Sequence, residues 1–281
     1  MSLPYWLKNK SPKKIYIDKM KNILKDIRIN SVCESAKCPN IGECFSNNMI
    51  TFMILGDVCT RDCLFCGVKK GEVLPIDKEE SLAISEAVCR LGIMHVVITS
   101  VTRDDLEDGG ATQFINVIDE LRKRKEKVVI EILTPDFKGD YNIIRKILDT
   151  KPDVFGHNIE TVYRLYGKIR PNSDYYRSLD IIRFASDYSK EITIKSGLMV
   201  GLGETLEEIE EVFKDLSDNG CQVVTVGQYL RPSKEQVEVV EYISPEKFKK
   251  IKGLAENYRF KKVLAGPFIR SSYRAEEVLQ R

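Results

Sequence analysis

After residue 50 the chain alternates six short apolar runs rich in β-branched residues with five longer runs that carry apolar positions at helical spacing. The short runs are ITFMILG (50–56), HVVITSV (95–101), VVIEIL (128–133), DVFGHNIE (153–160), ITIKSGLMV (192–200) and CQVVTVGQYL (221–230). The helical runs between them start at Asp77, Gly110, Tyr141, Asp174 and Thr205. Strands alternating with helices imply an α/β fold, with a parallel sheet covered by helices. The pattern admits an open doubly wound sheet or an incomplete (β/α)6 barrel. In either, the reactive face lies at the carboxyl ends of the strands.

Two segments fall outside this body, an N-terminal extension over residues 1–49 and a C-terminal segment over 263–281, leaving 50–262 as the repeating α/β domain. The 281 residues are enough for one large core with extensions. A net charge of only +2 supplies no basic field for nucleic acid. No run approaches eighteen consecutive apolar residues, and MSLPYWLKNKSPKK lacks the apolar core of a secretory signal. The expected compartment is cytoplasmic, where clustered thiols act as metal ligands or redox centres.

Six of the eight cysteines lie between residues 33 and 66. Cys59, Cys63 and Cys66 form C-x3-C-x2-C directly after the first apolar run, which is expected to end at Val58. Three thiolates fall one short of a closed structural zinc site. An iron-sulfur cube held by three thiolates keeps one iron open to a small molecule. Cys33, Cys38 and Cys44 form a second trio, C-x4-C-x5-C, again one ligand short. Zinc at either trio, or a packing cluster at the second, remains open on spacing alone. Cys89, in a helical run, and Cys221, at a strand start, fit small buried residues.

C-x3-C-x-aromatic-C, with Phe65 before Cys66, resembles the signature of the radical S-adenosylmethionine (radical SAM) enzymes. The paired trios, followed by RSSY at 270–273, resemble the lipoyl synthase family within them. WLK, TFMILGDVCTRDCLFCGV, VITSVTRDDLEDGGA, HNIETV, KSGLMVGLGET, QYLRPS and GPFIRSSYRA all look like that family. The resemblance implies a partial (β/α)6 TIM-like barrel with a cysteine-rich N-terminal extension and a closing C-terminal segment. It implies two 4Fe-4S clusters, one on Cys59, Cys63 and Cys66 that binds and reductively cleaves S-adenosylmethionine. The auxiliary one sits on Cys33, Cys38 and Cys44, with Ser272 as fourth ligand. A serine oxygen is a poorer partner for iron than thiolate, which suits a cluster that comes apart.

The implied activity is insertion of two sulfur atoms at carbons 6 and 8 of a protein-bound octanoyl-lysine, with the auxiliary cluster as donor. GLMVGLGE lacks the third glycine of a dinucleotide loop, because Leu206 stands there. It resembles instead the radical SAM G-x-I-x-G-x-x-E element, with Gly197, Met199, Gly201 and Glu204 in register. Met199 would lie against adenine or, equally, fill the core. Asn158 and Glu160, at the end of the fourth strand, are candidates for ribose or methionine contacts, whereas His157 is expected to be packed. Lys195 and Ser196 would engage a carboxylate, unless Lys195 faces a helix or solvent. The family's GGE element is replaced by TSV, so Thr99 and Ser100 would contribute hydroxyl or backbone contacts.

Other features read as structural. DGG at 108–110 suggests a helix-entry turn, and LRKRKEK at 121–127 the solvated end of a helix. Without the resemblance, Ser271 and Ser272 would read as a capped turn before AEEVLQ. RDDLED would either cap a helix or position substrate.

The partners implied are an octanoylated lipoyl carrier domain (a 2-oxoacid dehydrogenase E2 or a glycine cleavage H protein), an electron donor such as flavodoxin or ferredoxin, and an iron-sulfur carrier that rebuilds the auxiliary cluster. No nucleic acid or membrane partner is expected, and the chain is expected to be monomeric. The rival readings are a non-catalytic two-cluster electron carrier, another radical SAM sulfur-inserting or methylthiolating enzyme, and a zinc-binding interaction module.

Overall fold

A computed structural model describes residues 3–8, 14–124 and 127–279. The chain divides into two compact units, one of Ser11–Arg61 and Gly67–Phe155, the other of Met1–Lys10, Asp62–Cys66 and Gly156–Arg281.

In the first unit, α1 (Lys14–Asp26) buries Met20 and Leu24. The two-residue strand β1 (Asn30–Ser31) runs antiparallel to β2 (Thr51–Ile54), pairing Ser31 with Phe52. Ser31 then caps α2 (Val32–Ser35), its hydroxyl accepting from the Glu34 N–H at 3.3 Å, and α3 (Ile41–Ser46) follows. β2 is buried at every position and ends at Ile54, four residues before the expected Val58. The reason is local. Leu55 and Gly56 adopt φ of 69° and 90°, a left-handed turn that removes the chain from the ladder. Val58 instead begins β3 (Val58–Cys59), which pairs in parallel with β4 (Lys69–Lys70) in a separate ribbon.

After α4 (Glu80–Arg90) come β5 (His95–Ser100), α5 (Ala111–Arg124), β6 (Val129–Leu133), α6 (Tyr141–Asp149) and β7 (Val154–Gly156). The strand order is β1-β2-β5-β6-β7, parallel from β2 to β6 at each pairing in register. Val96, Ile98, Ile130 and Ile132 are fully buried, as expected of strands covered on both faces. DGG is a helix-entry turn, with Asp108 accepting from the N–H groups of Gly110 and Thr112 at 2.8 Å each. One expectation needs correction. Cys89 is exposed on α4, because the core stripe of that helix is taken by Ile84, Ala87 and Val88. LRKRKEK, whose residues 125 and 126 lie outside the described residues, is the solvated end of α5, with Lys123, Arg124 and Lys127 exposed and Leu121 buried. Arg122 there is engaged with Asp153 at 2.8 Å and the Val128 carbonyl at 2.6 Å.

The second unit carries α7 (Tyr163–Ile169), α8 (Tyr175–Tyr188), β8 (Thr193–Val200), α9 (Leu206–Asp218), β9 (Val223–Gln228), α10 (Pro245–Ala255) and β10 (Lys262–Gly266). Strands β8, β9 and β10 are parallel neighbours, with Met199 opposite Gly227 and Gly227 opposite Gly266. Thr205 starts α9 with a full capping box with Glu208. β10 is not anticipated by the apolar pattern, because its five residues are all only half-buried and carry no alternation. The fourth apolar run also departs from a regular strand. Beyond β7 the His157 N–H bonds to the Lys195 carbonyl at 3.1 Å, and Glu160, at φ 67°, bridges to Leu198.

Both units are helix-covered parallel sheets, so the fold is α/β. Among the described residues no helix is long and apolar enough to cross a membrane.

Candidate functional site

The first trio of thiols is carried by two short helices and the turn between them. Cys33 sits in α2 and is buried, Cys38 follows it, and Cys44 lies in α3. The Cys38 N–H bonds to the Cys33 carbonyl at 3.0 Å and the Ile41 N–H to the Cys38 carbonyl at 3.2 Å, so the turn is fixed by backbone. Burial pushes the Cys33 thiol up to about 12, against hydrogen bonding at Thr51 and with a further rise from neighbouring Cys38. Such a thiol stays protonated unless a metal ion displaces the proton.

Cys59 ends β3. Its sulfur accepts from the Thr102 N–H at 3.3 Å and the Arg61 N–H at 3.4 Å. At the carboxyl end of β5, Thr99 spends its hydroxyl on the Leu133 carbonyl at 2.9 Å, whereas the buried Ser100 hydroxyl has no partner among the described residues.

In the second unit Cys63, Phe65 and Cys66 are half-buried. Their loop is tied by the Leu64 N–H to the Ile169 carbonyl and by the Val237 N–H to the Leu64 carbonyl, both at 2.9 Å. None of the eight cysteines is in a disulfide. Among the described residues no group of three or more His, Cys, Asp or Glu side chains is arranged to hold a metal ion.

Asn158 and Glu160 are brought together, with the Asn158 Nδ2 donating to Glu160 Oε1 at 3.0 Å. The Asn158 Oδ1 is buried with no partner among the described residues, and a Cβ on Gly197 would lie 2.8 Å from it. Glycine at 197 therefore keeps room beside an unsatisfied acceptor, a combination that fits a polar ligand such as S-adenosylmethionine. Burial raises the Glu160 carboxyl above its usual range, opposed by the charge of Arg170. Arg170 also donates to the Asn158 carbonyl at 3.1 Å and to the Tyr166 hydroxyl at 2.5 Å. His157 is packed as expected, 1% exposed with Nε2 at 3.1 Å from the Ser178 hydroxyl.

Lys195 is buried within β8, which removes the solvent-facing alternative, and the Ser196 hydroxyl accepts from the Ile159 N–H at 3.1 Å. Met199 is half-buried. Glu204 closes its own glycine turn, accepting from the N–H groups of Gly201 and Leu202. Gly201 and Gly203 both stand at φ 103°, where a side chain is strained.

Ser272 lies half-buried in a turn after β10. The following short helix is preceded at its cap position by Arg274, at φ 51° with no side-chain cap, so neither Ser271 nor Ser272 caps it. Arg270 steadies the turn by donating to the Ile269 carbonyl at 2.6 Å.

Apolar patterning does not single out Arg61 or Arg170. Each is an isolated cation in the sequence, and only its burial marks it.

The sequence matches the Radical SAM superfamily over residues 53–216. It is 50% identical over 273 residues to a lipoyl synthase of Caldanaerobacter subterraneus subsp. tengcongensis, covering 97% of this chain and 95% of that protein. A lipoyl synthase of Caldicellulosiruptor saccharolyticus is 50% identical over 274 residues, covering 98% and 96%. Among solved structures, methylornithine synthase (PylB) aligns with a TM-score of 0.54 at 15% identity, covering 98% of this chain and 86% of that one. Streptococcus suis SuiB bound to S-adenosylmethionine aligns at 0.60 and 11% identity, covering 81% and 54%. These two likenesses concern the fold alone, and they agree with an α/β fold. With half of its residues identical to curated relatives along almost the entire length of both partners, the chain belongs to the lipoyl synthase family of the radical SAM superfamily.

Proposed function

We propose that this chain makes the lipoyl group by inserting sulfur at carbons 6 and 8 of an octanoyl-lysine on a lipoyl carrier protein. The observation that carries the reading is the pair of three-cysteine motifs in a chain half identical, over nearly all its length, to lipoyl synthases. Cys59, Cys63 and Cys66 would hold one 4Fe-4S cluster, and Cys33, Cys38, Cys44 and Ser272 the other. When bound, the clusters and S-adenosylmethionine supply hydrogen-atom abstraction from unactivated carbon and the sulfur that replaces it.

The chain's own residues bind and orient. Asn158 Oδ1, buried without a partner among the described residues, offers an acceptor to the polar groups of S-adenosylmethionine, and Ser100 Oγ, in the same condition, is by itself a candidate donor or acceptor. Glu160, Lys195 and Thr99 support these contacts, while Phe65 and Met199 offer apolar surface to adenine. Glu204 contributes by fixing the turn that follows Met199.

Residues 1–49 serve as the extension that brings the auxiliary trio, 50–262 as the catalytic barrel, and 263–281 as the segment that brings Ser272. The carrier is an E2 lipoyl domain or a glycine cleavage H protein. A flavodoxin- or ferredoxin-type donor supplies electrons, an iron-sulfur carrier restores the auxiliary cluster, and the enzyme works as a cytoplasmic monomer.

The test is anaerobic incubation of reconstituted protein with S-adenosylmethionine, a reductant and an octanoyl-lysine peptide, followed by mass spectrometry. Appearance of both 5'-deoxyadenosine and sulfur-bearing peptide is expected. Absence of both rejects the reading and leaves the electron-carrier alternative, and zinc in place of iron and sulfide would reject both.

A further inference from the structure

Arg61 stands between two of the cysteines of C-x3-C-x2-C, yet its side chain is only 4% exposed. Its guanidinium joins three loops that follow successive strands. Nε donates to Asp104 Oδ2 at 2.6 Å, and Nη2 donates to Asp104 Oδ1 at 2.9 Å and to Asp136 Oδ1 at 2.6 Å. Asp104 lies beyond β5 and Asp136, whose side chain is 0% exposed, beyond β6.

The backbone repeats the fastening. The Thr60 N–H and hydroxyl both donate to the Thr102 carbonyl, at 3.0 and 2.9 Å, and the Asp104 N–H donates to the Thr60 hydroxyl at 3.0 Å. The lacing bears on the Cys59 sulfur, which accepts from the Thr102 N–H at 3.3 Å and from the Arg61 N–H next to it in the chain at 3.4 Å; the first of these depends on the contacts between loops.

Burying a guanidinium with two carboxylates is a costly way to hold loops together, since apolar groups of the same volume stabilise as well or better. What the polar clamp adds is direction. A forked guanidinium fixes both carboxylates in plane and in register. Hydrogen bonds to a ligating sulfur favour the reduced, more negative state of an iron-sulfur cluster and raise its potential.

We infer that Arg61 is a positioning residue: through Asp104 and Asp136 it holds the Thr102 N–H on the Cys59 sulfur, and so sets the reduction potential of the cluster that Cys59 helps to bind. The inference rests on the function proposed above.

The test uses full-length, anaerobically reconstituted protein as wild type, Arg61→Lys and Thr60→Val. Lysine keeps the charge and loses the fork, whereas valine keeps the volume and removes the hydroxyl that ties Thr102 to Asp104. The cluster is identified by a paramagnetic resonance signal that changes on adding S-adenosylmethionine, and its reduced-to-oxidised ratio is read at a fixed potential. The ratio is expected to fall about tenfold in each variant, equivalent to about 59 mV for one electron, with iron and sulfide content unchanged. Ratios within about twofold of wild type in both variants overturn the inference and leave the proposed function intact. A wild-type signal indifferent to S-adenosylmethionine overturns both. If Arg61→Lys fails to fold or load iron, Thr60→Val decides alone, because Thr60 is exposed and its loss leaves the core untouched.

Discussion

Replacing Gly227 by alanine would place a methyl group 2.0 Å from the Ile269 carbonyl oxygen, 3.0 Å from its carbon and 3.1 Å from Arg270 Nη1. Gly227 lies near the carboxyl end of β9, in a conformation any residue adopts, so the whole effect is steric. The two nearest obstructing atoms are backbone and cannot swing aside. The segment must move until the contact opens from 2.0 Å toward the 3.4 Å of ordinary packing. Ile269 is held by its N–H to the Gly266 carbonyl at 3.1 Å, and the Tyr273 N–H bonds to the Arg270 carbonyl at 3.1 Å. A shift at 269 therefore reaches Ser272. Overpacking of this kind costs about 1–3 kcal/mol, seen as a melting temperature lowered by about 2–4 °C per kcal/mol. Displacing a working group by about 1 Å costs about a hundredfold in rate. Sulfur insertion should drop by that order while 5'-deoxyadenosine still forms near the wild-type rate, both read by mass spectrometry in single turnover. Gly167→Ala, on α7 with nothing within 4 Å, is the control and should leave both products unchanged. A folded Gly227→Ala protein that inserts sulfur at the wild-type rate would refute the reasoning.

Ser272→Ala should abolish sulfur-bearing product and spare reductive cleavage, and full product formation would dismiss the serine as a ligand. Asn158→Ala removes the buried Oδ1 that lacks a partner among the described residues, so affinity for S-adenosylmethionine should fall about tenfold in equilibrium binding, in line with loss of one good hydrogen bond; an unchanged Kd would count against the contact. Thr205→Ala removes the capping box of α9 and should cost about 1 kcal/mol in urea unfolding; no loss would show the cap to be idle. Glu80 is a pH test. Its carboxylate accepts from the Leu55 N–H at 3.0 Å and from Gln113 at 2.9 Å, yet burial raises its pKa above the usual 4.5. A raised folded pKa means the group's contribution to stability is fully present below the unfolded pKa and is lost as pH climbs through the folded one. Glu80→Gln mimics the protonated form, so its stability relative to wild type should rise as pH is raised from about 4 to 8. A flat or falling difference in urea titrations would contradict this.

The six apolar runs after residue 50 each contain a strand because fully buried parallel strands announce themselves by continuous Val, Ile and Phe. β10 escapes this test, since its Val263, Leu264 and Ala265 are half-buried and too few to show a period. The early end of β2 was equally hidden. Leu55 carries nothing in its side chain that signals φ of 69°, and the turn is supported by Glu80, 25 residues away. Cys89 illustrates the reverse case, a residue whose type favours burial but whose helical phase turns it outward.

Among the candidate site residues, the cysteines group by their spacing along the chain, whereas Ser272 is singled out only by resemblance to the family and would otherwise read as part of a turn. The condition of the polar residues was not legible. Thr99 and Ser100 are neighbours of similar chemistry, yet one hydroxyl is spent on the Leu133 carbonyl and the other has no partner among the described residues. Glu204 looks like a ligand-binding carboxylate and instead closes its own turn.

By itself, then, the order of residues determined which thiols group together, that strands alternate with helices, and the family to which this pattern is similar. These are local or periodic properties, and neighbouring residues suffice to express them. Only the tertiary structure decided that Arg61 binds two distant aspartates and that Gly197 leaves space for the Asn158 oxygen. It alone put the Ile269 carbonyl over Gly227. Those facts depend on which buried polar atoms meet a partner across long separations in sequence, and burial without a partner is defined only once the chain has folded.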